Sequence, residues 1–254
     1  MRDLINQKKY KKLLEYICDT EGDYIPLQFI PNLNKPKNYT NEELIQETTS
    51  HESKTINLDN WHTASNLAEL NFAIKDCLKC KYGATRNKFV FGTGNPNADI
   101  LLVGEAPGAD EDLKGEPFVG KAGQLLDRIL AAINLNRNTV YIANVVKCRP
   151  PGNKTPEESD YLTCLPYLKK QIDLIKPKFM LLLGSVALQA LFGKSYKITQ
   201  WRGKVIHYKD IAAIPTYHPA YLLRNPAAKK EVWEDVQLLQ KMYLDYKKTL
   251  KKDI

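Results

Sequence analysis

The chain has 254 residues, 43% of them apolar, and 37 Lys and Arg against 29 Asp and Glu give it a net charge of +8. That length accommodates one large α/β domain or two smaller ones, and no apolar run reaches the about 20 residues of a membrane span. Five cysteines without a disulfide-like spacing exclude a stapled secreted scaffold and fit a reducing compartment, so a cytoplasmic location is expected, nucleoid-associated if the source is bacterial.

Leu4, Ile5, Leu13, Leu14 and Ile17 recur at helical spacing and predict a short amphipathic helix over 1–18. It is basic, with no apolar stretch of a secretory leader. Residues 19–60 are polar, carry Pro26, Pro31 and Pro36, and read as a linker or weakly ordered arm. The expected division is therefore a basic N-terminal helix plus polar arm over 1–60 and a compact domain over 61–254. The domain opens with a helix from Trp61 through Ile74. Asp99–Val103 (DILLV) reads as a strand, 122–134 as a helix and Val140–Val146 (VYIANVV) as a second strand. A long helix is expected from Thr155 as N-cap, with Pro156 in the first turn and Glu158 completing a capping box, to the approach of Pro177. Phe179–Leu183 (FMLLL) is a strand, after which Ser185 caps a helix to Phe192. Strands over 204–208 and 211–215 and a final helix over 226–247 complete the order. Continuous apolar strands alternating with helices argue for a three-layer α/β/α sandwich around a mostly parallel sheet.

In such sheets ligands bind at the carboxyl ends of the strands, and the unusual residues lie there. Gly104–Asp112 (GEAPGADED), Lys147–Asn153 (KCRPPGN) and Thr216–Pro226 (TYHPAYLLRNP) follow three strands and converge on one rim. Glu105 is either a reactive carboxylate or a loop brace. Phe118 either stacks on a planar ligand or plugs the core. Asn144 interrupts an apolar strand and offers both a donor and an acceptor, unless backbone groups satisfy it. His218 is a candidate acid, base or donor; His51, His62 and His207 default to structural or exposed roles. Cys77-x₂-Cys80, Cys148 and Cys164 form a four-thiol set suited to an iron–sulfur cluster or a tetrahedral zinc, or are scattered buried cysteines.

Taken in order, GEAPGADED (104–112), GEPFVGKAGQLLD (115–127), NVVKCRPPGN (144–153) and HPAYLLRNP (218–226) resemble the signatures of the uracil-DNA glycosylase superfamily, specifically its iron–sulfur family 4. The resemblance runs from Asp76 to the C-terminal helix and leaves residues 1–60 outside it. It implies a [4Fe–4S] cluster on Cys77, Cys80, Cys148 and Cys164, with Cys18 left over, and a site for uracil flipped out of DNA, single- or double-stranded. Phe118 would stack on the base, Asn144 would read its Watson–Crick edge, and the backbone near Ala106 and Gly108, supported by Glu111, would complete the pocket. His218 would stabilise charge on uracil O2. Glu105, helped by Asn153, would position the water; the Asp that does so in family 1 lies one residue later in the aligned motif, where this chain has Ala106. Tyr221, Leu222, Leu223 and Arg224 would enter the duplex, and Lys147, Arg149, Lys121 and Lys204 would meet phosphates. A monomer is expected, with the N-terminal arm free to recruit a repair or replication partner. Two alternatives are a covalent uracil-DNA binder, whose basic His-containing insertion is missing between Phe118 and Asn144, and a non-enzymatic module akin to polymerase-fused domains.

Overall fold

A computed structural model describes residues 60–252 of the chain. The expected N-terminal helix, the expected polar arm and Cys18 lie outside the described residues. The expected helix over 61–74 resolves into a 3-10 turn at Trp61–Thr63 and helix α1 at Leu67–Ile74, capped by the Asn66 side chain. In chain order there follow β1 (Thr93–Gly94), β2 (Ile100–Gly104), α2 (Ala109–Lys114), α3 (Lys121–Ala132), β3 (Tyr141–Asn144), α4 (Glu158–Ile175), β4 (Phe179–Leu183) and α5 (Ser185–Phe192). The chain continues through α6 (Ile198–Trp201), β5 (Ile206–Tyr208), β6 (Ile211–Thr216), α7 (Pro219–Arg224) and α8 (Lys229–Lys252).

The six strands are ordered β1-β3-β2-β4-β6-β5. β3, β2, β4 and β6 run parallel, and β1 and β5 close the edges antiparallel. Because a strand's side chains alternate between faces, each apolar run divides between two cores. Leu101, Val103, Met180 and Leu182 face one layer with Leu168, Ile172 and Ala187 from α4 and α5. Ile100, Leu102, Phe179, Leu181 and Leu183 face the other with Leu125, Leu126 and Leu130 from α3 and Val232, Val236 and Leu239 from α8. This is the expected α/β/α sandwich, and it explains why the central strands are apolar throughout instead of alternating.

Two helix starts differ from the expectation. α4 begins at Glu158, after an extended Glu157 that makes no side-chain cap bond. Thr155 is not its cap, because residues 154 and 155 instead line the cavity described below. Gly184, at φ 91, takes the junction before α5, a conformation that suits glycine, so Ser185 is the first helical residue and not the cap.

Candidate active site

The carboxyl ends of β2, β3 and β6 surround a cavity of about 380 Å³. Of the residues expected at a site, Glu105, Ala106, Gly108, Glu111, Phe118, Asn144, Asn153, His218, Tyr221 and Arg224 all line it. Sequence reasoning missed Lys154 and Thr155 on the same wall, because the pattern at Thr155 fits a helix cap equally well.

The loop after β2 is pinned by its neighbours. Val145 and Val146 donate backbone N–H groups to the Gly104 and Glu105 carbonyls at 2.9 and 3.0 Å, which carries the β2–β3 ladder past the strand ends. Glu111 accepts from the amides of Gly108 (3.0 Å), Val119 (2.8 Å) and Gly120 (2.9 Å). It joins the loop after β2 to the loop that carries Phe118, and both loops line the cavity. Asp112 is buried and accepts from the Asn87 amide (2.9 Å) and side chain (2.6 Å), tying α2 to the segment behind the Cys77 loop. Glu105 lies in the wall with its carboxyl pKa raised by burial.

Phe118 is buried and has φ 55, a left-handed conformation uncommon for a residue of its size. Two glycines make room for it. A Cβ on Gly104 would lie 2.6 Å from the Phe118 ring and 2.4 Å from Asn144 Oδ1, and one on Gly123 would lie 1.7 Å from the Phe118 carbonyl oxygen. The Phe118 and His218 rings sit with centroids 5.4 Å apart and planes tilted by 30°. Asn144 is buried, and its Oδ1 has no hydrogen-bond partner among the described residues.

His218 precedes α7 and accepts the Ala220 amide hydrogen at Nδ1, 3.1 Å away. That bond assigns the ring proton of the neutral imidazole to Nε2. Burial, with a smaller contribution from the Arg224 cation, pushes the pKa down to about 4, so at neutral pH the ring is an uncharged N–H donor.

Three expected DNA contacts need correction or refinement. Lys147 has no exposed surface; its Nζ donates to the Asn144 carbonyl at 2.7 Å and to Gln171 Oε1 at 2.5 Å. A side chain so enclosed cannot reach a phosphate, and it braces the strand end that carries Asn144. Leu222 is 1% exposed and packs into the core on the α3 and α8 side of the sheet, so it anchors α7 and is no wedge. Arg149 is half-buried and donates from Nε to Asn153 Oδ1 at 2.7 Å, orienting that amide at the cavity rim. Tyr221, Arg224 and Lys154 line the cavity and are exposed, Leu223 and Lys121 are exposed next to lining residues in sequence, and Lys204 is exposed on the surface.

The four cysteines come from three segments: the loop after α1, the loop after β3 and helix α4. All four thiols are free, Cys77 and Cys80 half-buried and Cys148 and Cys164 buried. Arg86 ties the segments together by donating to the carbonyls of Cys77 (2.6 Å) and Lys75 (2.8 Å) and to Cys148 Sγ (3.2 Å). Tyr167 Oη donates to Cys77 Sγ at 3.3 Å, and Tyr82 Oη to the buried Asp160 at 2.6 Å. Burial pushes the Cys148 thiol up to about 11 and the Cys164 thiol up to about 12, against the opposing pull of the Arg86 cation on the first and the Lys147 cation on the second. Among the described residues no three His, Cys, Asp or Glu side chains converge on the position of one metal ion. Four free thiols are a donor set whose chemistry fits an iron–sulfur cluster and a structural zinc alike.

A sequence model of the family described as Uracil DNA glycosylase superfamily matches residues 91–237. The Type-4 uracil-DNA glycosylase of Sulfurisphaera tokodaii is 43% identical over 191 residues, covering 72% of this chain and 87% of that protein. The protein of the same description from Saccharolobus solfataricus is 44% identical over 171 residues, covering 64% and 79%. The one from Archaeoglobus fulgidus is 42% identical over 176 residues, covering 64% and 85%.

Proposed function

Because the chain belongs to the uracil-DNA glycosylase superfamily, we propose that it hydrolyses the bond between uracil and deoxyribose in DNA, releasing uracil and leaving an abasic site. The observation that carries this reading is the buried, unpartnered amide oxygen of Asn144 in the cavity wall. Uracil N3 bears a hydrogen for that oxygen to accept, and uracil O4 accepts from the same side chain's NH₂. Cytosine has a lone pair at N3 and an amino group at C4, so both contacts turn repulsive. A buried polar group matched to one base and mismatched to another discriminates by as much as about 10⁴-fold.

The base reaches this cavity only once it is out of the helical stack, where the Phe118 ring covers its face. As the C1′–N1 bond breaks, its electron pair moves onto uracil and charge gathers at O2. The His218 Nε2–H donates there, and a neutral donor fixed in advance stabilises that charge without reorganisation. The attacking water adds its oxygen to C1′ and passes a proton to Glu105, whose affinity for a proton burial raises above that of an ordinary carboxylate. Asn153, held by Arg149, is the second group positioning that water. Tyr221, Leu223 and Arg224 occupy the space the nucleotide vacates, and the lysines at the rim meet phosphates.

Cys77, Cys80, Cys148 and Cys164 would hold a [4Fe–4S] cluster. Bound there, the cluster supplies coordination bonds that cross-link three segments and, with all four thiolates engaged, has no open position for substrate. Absorption near about 400 nm that is lost in Cys164→Ser is expected; a colourless, iron-free protein with full activity would remove the assignment. For the reaction, Glu105→Gln should slow single-turnover release of uracil from an oligonucleotide by about 10²-fold or more while binding to the same DNA is retained. Cleavage at the wild-type rate would take Glu105 out of the mechanism, and retention of DNA without any abasic product from wild type would make the chain a binder.

A further inference from the structure

Arg137 lies in the turn between α3 and β3 and does not line the cavity. Its guanidinium nevertheless reaches the cavity's aromatic wall from behind. Nη1 donates to the Pro117 carbonyl at 3.1 Å, Nη2 donates to the Phe118 carbonyl, and Nε donates to Asp127 Oδ1 on α3 at 2.8 Å. The two carbonyls belong to the peptide units that flank the left-handed Phe118. The Phe118 carbonyl is also the atom against which Gly123 packs. The ring's direction therefore depends on a backbone turn that Phe118 does not favour by itself, held between Gly123 on one side and the Arg137 fork on the other. A planar five-donor group satisfies three acceptors at fixed angles; an ammonium on a flexible stem does not.

We propose that Arg137 is a positioning residue for uracil recognition, which sets the Phe118 ring by clamping the carbonyls of Pro117 and Phe118 from outside the pocket. This rests on the reading of Phe118 as the surface on which uracil stacks. The alternative, that Arg137 is simply another cation drawing DNA to the surface, makes a different demand: lysine would then serve as well.

The experiment uses the full-length protein with R137K, R137M, Phe118→Ala and the R137M/Phe118→Ala pair. Three quantities are read: the His218 ring-proton NMR shifts, single-turnover uracil release, and affinity for uracil-free duplex. The imidazole lies 5.4 Å from the Phe118 ring, so its protons report the ring current of Phe118 whether or not catalysis occurs. In R137M and R137K the His218 signals should move and uracil release should slow by about tenfold or more, the size expected for a displaced recognition group, with uracil-free duplex bound within about twofold of wild type. R137M/Phe118→Ala should be no slower than Phe118→Ala alone, because a residue acting through another adds nothing once that one is gone. Unmoved His218 signals, multiplying losses in the pair, or a wild-type rate in R137K would each overturn the inference. R137K keeps the charge and most of the volume and carries the test if R137M does not fold. Phe118→Ala at the wild-type rate would bring down the stacking reading and this inference with it, whereas unmoved His218 signals bring down the inference alone.

Discussion

The pKa values of two ionisable side chains in the pocket are shifted in opposite directions, each toward the uncharged form. Burial holds His218 uncharged by lowering its pKa from 6.5 to about 4, and burial favours the uncharged form of Glu105 by raising its pKa above the ordinary 4.5. For His218 the unfolded chain takes up its proton first, so acidification from about 6.5 to 4 destabilises the fold. For Glu105 the folded chain keeps its proton longer than the unfolded one. Stability is therefore lost as pH rises from the ordinary value through the raised one, and above that the ionised, buried carboxylate is a standing penalty. Glu105→Gln removes that penalty. Besides slowing uracil release, it should raise the melting temperature at pH 7–8, with the gap closing as the pH falls below the ordinary 4.5. Thermal melts across that range check this, and a gap that persists unchanged at low pH would mean that the charge of Glu105 is not its source. In the rate profile the acid limb should belong to Glu105, since His218 is already neutral above about 4.

α3 approaches the Phe118 loop closely because Gly123 has no side chain. By propensity alone, Gly123→Ala in the first turn of a 12-residue helix would stabilise by at most about 1 kcal/mol. The added methyl would instead lie 1.7 Å from the Phe118 carbonyl oxygen, and overpacking against backbone costs about 3 kcal/mol or more. The clash wins. Gly123→Ala should lower the melting temperature by several degrees, roughly 4–8 °C at this size, and should slow uracil release beyond what the lost stability explains. A variant as stable and fast as wild type would show that α3 and the loop can part without consequence. The sequence pattern announced the elements involved but not this contact. Runs such as FMLLL are apolar because both sheet faces are covered, so β4 was legible to the residue. Cavity residues were legible because their types at strand ends fitted one family's signatures. Lys147 and Leu222 were misplaced because a lysine and a leucine in a loop look like surface groups, while the acceptors that bury Lys147 are a backbone carbonyl and a glutamine 24 residues away. Arg137 and Asp112 were invisible for the same reason: their main partners are peptide groups, which every sequence position carries.

Across the whole chain, charge and site are distributed unequally. Residues 1–60 hold eight Lys and Arg against ten Asp and Glu, a net of −2, so residues 61–254 carry +10. The basic run at 8–12 is more than offset by the acidic text that follows it. DNA binding releases counterions in proportion to the phosphates neutralised, and the slope of log affinity against log salt counts those contacts. If the catalytic domain makes them, through rim cations such as Arg224, Lys121 and Lys154, removing residues 1–60 should leave that slope within experimental error of the full chain. Affinity at low salt should be unchanged or slightly higher, because the deletion removes net negative charge. A slope flatter by about one unit or more would instead assign phosphate contacts to the lysines at 8–12 and make the N-terminal segment part of the DNA-binding surface. The comparison belongs on uracil-free duplex, where base recognition by Asn144 and Phe118 does not enter and the electrostatic contribution stands alone.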